Sequence, residues 1–257
     1  MSKIVIATAC LESKGDPELM LAALECLSRK GYDVCVTDGG SSPAFREQIA
    51  AMGHDLRISR NGLRGQLESS LIRAGEKGTH VMYCECDKLE FLETRLEETL
   101  DRYWHSEFDY APIGRDAQAY GSFPFVQQSI EACQNRLMSH ELQIQGDWVA
   151  GPAIMPAAHT LQLHFSRWYG TAQHGWGIPW YLLARAHREN LKIGVIDTAC
   201  GVHGTATDEF IPSYRLSQAN QMLGCFYEGL GKHYDWADKA AGSPLPLANE
   251  ERSVVAA

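Results

Sequence analysis

The sequence predicts an α/β fold, a mostly parallel sheet flanked by helices, joined to a smaller and less regular second half. Three observations carry this. Apolar, β-branched runs alternate with single helical patterns from Lys3 to Cys84, which implies right-handed crossovers between parallel strands. Acidic residues stand just beyond the carboxyl ends of those runs, the edge at which such sheets bind ligands. From Leu89 onward strands and helices continue with no internal repeat and no clear linker.

Lys3 to Ala9 reads as a central strand. Asp16 can cap a helix with Pro17 at its first position; apolar residues recur at Leu19, Met20, Ala23, Leu24 and Leu27, and Gly31 ends it. Tyr32 to Thr37 is a second strand, running into Asp38-Gly39-Gly40-Ser41-Ser42-Pro43. A helix from Pro43 to Met52 and a strand from Asp55 to Ser59 follow, and Asn61-Gly62-Leu63-Arg64-Gly65 opens a helix to about Glu76. Thr79 to Cys84 is an apolar strand that runs into Glu85-Cys86-Asp87.

In the second half, Leu89 to Tyr103 reads as one amphipathic helix, Phe108 to Ile113 as a strand and Phe125 to Met138 as a helix. Asp147 to Met155 reads as a strand, Ala157 to Trp168 and Trp176 to Glu189 as helices. Leu191 to Asp197 is a strand leading to Gly201-Val202-His203-Gly204, and Ser217 to Leu230 is the last helix. Residues 1–238 are expected to form one domain in two functional halves, 1–105 and 106–238, with 239–257 a polar, mobile tail.

Composition removes several function classes. The chain of 257 residues carries 23 Lys and Arg against 32 Asp and Glu, a formal charge of −9, so a basic nucleic-acid platform is excluded. Ile4 to Leu11 is too short for a secretory h-region, and the charge-poor stretches after Trp148 and Trp168 are interrupted by Pro and His, so no membrane span is expected. The eight cysteines form no CxxC pair and read as reduced, mostly buried thiols of a cytoplasmic protein. There is no GxGxxG, no GxxxxGK[ST], no GxSxG and no HExxH.

Glu85-Cys86-Asp87 carries more chemistry. Carboxylates at i and i+2 where a strand ends can project the same way, and a divalent cation relieves their repulsion while bridging the oxygens of a diphosphate. Asp38 and Arg64 converge on the same sheet edge. Trp148 and Trp176 flank turn-like residues, where an aromatic face can stack on a sugar, or on a membrane in a peripheral contact.

Asp38-Gly-Gly-Ser-Ser, Asn61-Gly-Leu-Arg-Gly and the strand into Glu85-Cys-Asp87 resemble the GT-A nucleotide-sugar glycosyltransferases, particularly family 2-like members. Gly151-Pro-Ala-Ile-Met and the run from Gly175 to Gly201-Val-His203 resemble that family's later elements, so the likeness covers roughly residues 3–205. It implies a GT-A (Rossmann-like) sheet, with a nucleotide-binding half at 1–105 and an acceptor half at 106–238. It also implies Thr8, Glu12, Asp38, Arg64, Glu85 and Cys86 at the nucleotide and Asp87, Glu85 and His203 at Mn2+ or Mg2+. Arg64 and Asp87 are the implied catalytic residues, and Trp148, Gly151 and Trp176 stand on the acceptor side.

Two features depart from the family pattern. Glu85 replaces the first acid of the DXD motif, and the head of the helix at Trp176 lacks the carboxylate that inverting members use as a base. The chain therefore looks more like retaining enzymes similar to glucosyl-3-phosphoglycerate and mannosylglycerate synthases. The expectation is a metal-dependent transfer of a hexose from a nucleotide-diphosphate sugar to an unidentified acceptor, with retention, by a protein that can pair as a homodimer. A catalytically degenerate nucleotide- or partner-binding protein and a nucleotidyltransferase are the alternatives. The second normally carries a Gly-rich, Lys-bearing signature after its first strand, and Ala7-Thr-Ala-Cys-Leu-Glu-Ser is not one.

Overall fold

The computed structural model describes residues 2–165, 177–199 and 212–232. Strands β1 (Ile4–Cys10), β2 (Val34–Asp38), β3 (Asp55–Ile58), β4 (His80–Tyr83), β5 (Ala111–Arg115), β6 (Ala153–Pro156) and β7 (Ile196–Thr198) form one sheet in the order β3-β2-β1-β4-β6-β5-β7. The pairs β3–β2, β2–β1, β1–β4 and β5–β7 are parallel; only β6 runs against its neighbours β4 and β5. The carboxyl ends of β1, β2, β4, β5 and β7 therefore share one edge, and the residues entering β6 join them there.

The first half follows its sequence pattern closely. Helix α1 (Pro17–Arg29) starts at Asp16, whose Oδ1 accepts from Glu18 N at 3.0 Å and Leu19 N at 3.2 Å, a cap of about 1 kcal/mol. Helix α2 (Pro43–Ala51) is capped by Ser42, and α3 (Gly62–Lys77) begins after Asn61. Leu67, Leu71 and Ala74 of α3 pack with Val5 and Ala7 on one sheet face, while Leu24 and Leu27 of α1 pack with Ile6 and Val36 on the other. Alternate strand residues thus serve two separate cores.

One buried cation ties this half together. Arg73 on α3, 5% exposed, donates to Val36 O at 2.7 Å, Thr37 Oγ1 at 2.8 Å and Asp55 O at 2.8 Å, and pairs with the Asp55 carboxylate at 2.8 Å.

The second half departs more from expectation. The single helix expected over Leu89 to Tyr103 breaks at Arg95 into α4 (Leu89–Thr94) and α5 (Leu96–His105), because α4 packs on α1 whereas α5 packs against β7. Helix α6 (Ala117–Gly121), capped by Asp116, was not anticipated. Helix α7 (Phe125–Leu142) extends past Met138. Of the strand expected over Asp147 to Met155, only β6 pairs, since Asp147 is bound to Arg115 and Gly151 takes φ +110°. Helix α8 (Ala157–Leu161) passes into a 3-10 turn at Gln162–Phe165, and residues 166–168 of the helix expected there lie outside the described residues. Helix α9 (Ile178–Arg188) and helix α10 (Pro212–Gly229) pack together, and α10 starts earlier than the Ser217 expected. The strand expected over Leu191 to Asp197 pairs fully only in β7, with Ile193 making an isolated bridge to Tyr110. No helix among the described residues is long and apolar enough to cross a membrane.

Candidate active site

Two loops join at the ends of β1 and β2. Glu12 Oε2 accepts from Ser42 N at 2.8 Å, and Glu12 N donates to Ser41 Oγ at 2.9 Å. Asp38, fully buried, takes up the amides of Gly40 (2.9 Å) and Ser41 (2.9 Å) and the Ser41 hydroxyl. Its carboxylate shapes the turn after β2, and Glu12 fastens that turn to the loop after β1. Thr8, 1% exposed, lies within β1.

The turn after β4 brings the expected acids together. Lys88 N donates to Glu85 O at 3.3 Å, closing a turn over Glu85-Cys86-Asp87-Lys88. Cys86 faces the apolar cluster on the α1 side; its thiol donates to Ala9 O at 3.4 Å, and burial first, with the Asp87 charge, pushes it up to about 12. Cys86, expected at the nucleotide, is 7% exposed and packs in that core. Glu85 and Asp87 instead border a pocket of about 120 Å³. Lys88 Nζ lies 2.9 Å from Asp87 Oδ1 and 3.3 Å from Glu85 Oε2, and both oxygens are buried.

Arg64 stands in the first turn of α3, 3.4 Å from Glu68, and its charge reaches Cys225 on α10. Gly151 is brought to the acids by register. Tyr83 pairs with Ala153 across β4 and β6, and carrying that antiparallel register outward sets Gly151 opposite Glu85. A Cβ at Gly151 would lie 2.5 Å from Glu85 Oε2. Trp148 is 2% exposed in the core, its Nε1 donating to Ser139 Oγ at 2.8 Å, so its ring offers no stacking face to a ligand. The next residues, Val149 and Ala150, line the pocket in its place. Trp176 and His203 lie outside the described residues, as does the tail from 239.

The far wall of the pocket was not foreseen. Arg115, at the end of β5, binds Asp147 through Nε at 2.6 Å and Glu131 of α7 through Nη2 at 2.7 Å, with Phe123 and Tyr120 rings 4.5 and 4.8 Å from its guanidinium. Burial alone would lower the Arg115 pKa; the bonds and charges of Asp147 and Glu131 more than offset that and hold it above its ordinary value. Burial raises Glu131 despite Arg115, whereas for Asp147 the guanidinium bonds outweigh burial and hold the carboxyl below its ordinary range. Gln127 then links Glu131 (2.7 Å) to Arg215 of α10 (2.9 Å). Trp180 of α9 closes the wall, its Nε1 on Trp148 O at 2.8 Å. The one sequence signal for this network was a charged residue, Arg115, ending an apolar strand.

Among the described residues, no group of three or more His, Cys, Asp or Glu is arranged to hold a metal. Glu85 Oε2 and Asp87 Oδ1 still offer two hard carboxylate oxygens at a pocket, the donor type that Mg2+ and Mn2+ prefer. The residues present fit such an ion as a partial shell.

No protein-family model and no curated protein sequence matches the chain. Solved structures do. One of glucosyl-3-phosphoglycerate synthase from Mycobacterium tuberculosis, in complex with Mn2+, UDP-glucose and phosphoglyceric acid, is 14% identical with a TM-score of 0.60, over 91% of this chain and 81% of that one. The same enzyme with Mn2+, UDP and glucosyl-3-phosphoglycerate is 13% identical with a TM-score of 0.59, over 91% and 82%. A further mycobacterial protein structure has a TM-score of 0.64 at 13% identity, over 91% and 76%. Strand order, sheet direction and these likenesses agree: the chain has the GT-A fold.

Proposed function

We propose that the chain is a metal-dependent glycosyltransferase that moves a hexose from a nucleotide-diphosphate sugar to a small polar acceptor. The observation that carries this reading is the junction of the Glu85–Asp87 turn with the pocket walled by α7, α9 and α10, at the edge where β1 and β2 also end. In this reading residues 1–105 bind the donor and 106–238 the acceptor. The end of β1 near Thr8 and the loops around Glu12 and Asp38 cradle the nucleoside, chiefly through backbone groups, since Asp38 is occupied by its own turn. Arg64 supplies positive charge to the diphosphate, and Glu85 contacts ribose or metal.

Glu85, Asp87 and His203 would hold the Mn2+ or Mg2+, whose charge would stabilise the leaving diphosphate. Gly151 lets the acceptor-side backbone close against Glu85 without a side chain between them. Arg215, Gln127 and Gln218 border the pocket with donors for a polar acceptor. The first turn of α9 contains no acidic residue, so no protein base stands there. That supports retention: the acceptor hydroxyl attacks C1 on the face the diphosphate leaves, and its proton passes to a leaving phosphate oxygen.

UDP-glucose is the first donor to test, because it is the sugar nucleotide in a structure of the same fold. A thermal-shift panel of UDP, GDP and their sugar conjugates, with Mn2+ and with chelator, reads donor choice directly, since a ligand of the native state raises apparent stability. Sugar released from the shifting donor supports transfer. Pyrophosphate release would instead mean nucleotidyl transfer, and no shift with any sugar nucleotide rejects the proposal.

A further inference from the structure

We infer that Lys88 is a resident cation of the donor site, its ammonium standing where a divalent ion would be shared by Glu85 and Asp87, so that free ion binds weakly. The inference rests on the donor-site reading above and adds a determinant of metal dependence to it. Lys88 Nζ is within 3.3 Å of Glu85 Oε2 and 2.9 Å of Asp87 Oδ1. This is no loose surface lysine. Its N–H closes the turn onto Glu85 O, its C=O accepts from Leu92 N at 3.0 Å in α4, and its side chain is 19% exposed.

A divalent ion and an ammonium seek the same hard oxygens, and their mutual repulsion is strong where water is partly excluded. Both cannot sit on one carboxylate pair. Lysine suits a replaceable cation, a compact charge on a flexible four-carbon stem. The neighbouring Arg115 cannot serve, because Asp147 and Glu131 fix its guanidinium.

The test is a Mn2+ titration of the nucleotide-free protein, read by the EPR signal of unbound Mn2+. Lys88→Met keeps the length and removes the charge, and should bind Mn2+ about tenfold more tightly than the parent, the scale expected when one like charge leaves a partly buried site. Lys88→Arg keeps the charge and should stay close to the parent. Equal affinity in Lys88→Met and parent, tighter binding in both variants, or no binding in any of the three overturns the inference. Thermal melts confirm that each variant is folded. The titration uses no nucleotide, so the donor reading fails separately, through the absence of any sugar-nucleotide shift.

Discussion

Gly151 and Glu85 face each other across the β6–β4 pairing so closely that a Cβ on Gly151 would lie 2.5 Å from the Glu85 carboxylate. Gly151 also holds φ +110°, a conformation other residues rarely adopt. The contact joins the turn after β4, in the first half, to the residues entering β6, in the second. Gly151→Ala should cost about 1–3 kcal/mol in denaturant unfolding, from backbone strain and displacement of Glu85. It should also weaken Mn2+-dependent sugar-nucleotide binding; unchanged stability and binding would show that Glu85 has room to move.

Asp87→Ala should abolish metal-dependent sugar-nucleotide turnover while leaving the fold intact. The Asp87 side chain is 44% exposed and ion-paired with Lys88, so its removal should change stability by only about 0.5 kcal/mol. Parent-level turnover in a folded Asp87→Ala protein removes the metal role.

Asp147→Asn should lower stability at neutral pH by about 3–5 kcal/mol, because it breaks a buried ion pair and leaves Arg115 under-compensated. The sign of its pH dependence follows from the same contact. The folded Asp147 carboxyl lies below its ordinary 3.8, so its stabilisation is complete above about that pH and is lost as pH falls through the lowered folded value. Glu131, raised by burial, acts in the opposite sense. Urea midpoints measured from pH 6 down to 2.5 should therefore fall more steeply for the parent than for Asp147→Asn. Parallel curves would contradict the assignment.

Arg73→Met should be as severe, at about 3–5 kcal/mol, since it leaves the acceptors at Val36, Thr37 and Asp55 without their cation. The damage should concentrate at β2 and β3, where amide exchange by NMR should lose protection before β6 does. Uniform loss of protection would mean that Arg73 holds no local unit together.

Much of the first half was legible because its determinants are local. Asp16-Pro17 starts α1, the apolar run from Thr79 stops at Glu85, and both conclusions need only neighbours in sequence. The alternation of β1 residues between two cores and the helical stripe of α1 then follow from geometry common to all such elements. The second half was less legible, because its breaks depend on distant partners. Nothing in Leu89 to Tyr103 announces the break at Arg95; it arises where the two halves of the run meet α1 and β7.

The same division holds for the site. By itself the sequence determined the parallel α/β core, the placement of Glu12, Asp38, Glu85 and Asp87 at one sheet edge, and the absence of a carboxylate heading α9, because strand ends and residue types are local properties. Only the tertiary structure decided what those residues do there. It turned Asp38 into the keystone of its own loop and buried Trp148, which the sequence had offered as a stacking face. It also placed Lys88 between two acids and set Arg115 between Asp147 and Glu131. The physical reason is that a side chain's partners are fixed by packing and by strand register. The antiparallel entry of β6, which brings Gly151 against Glu85, is written in no short stretch of the chain.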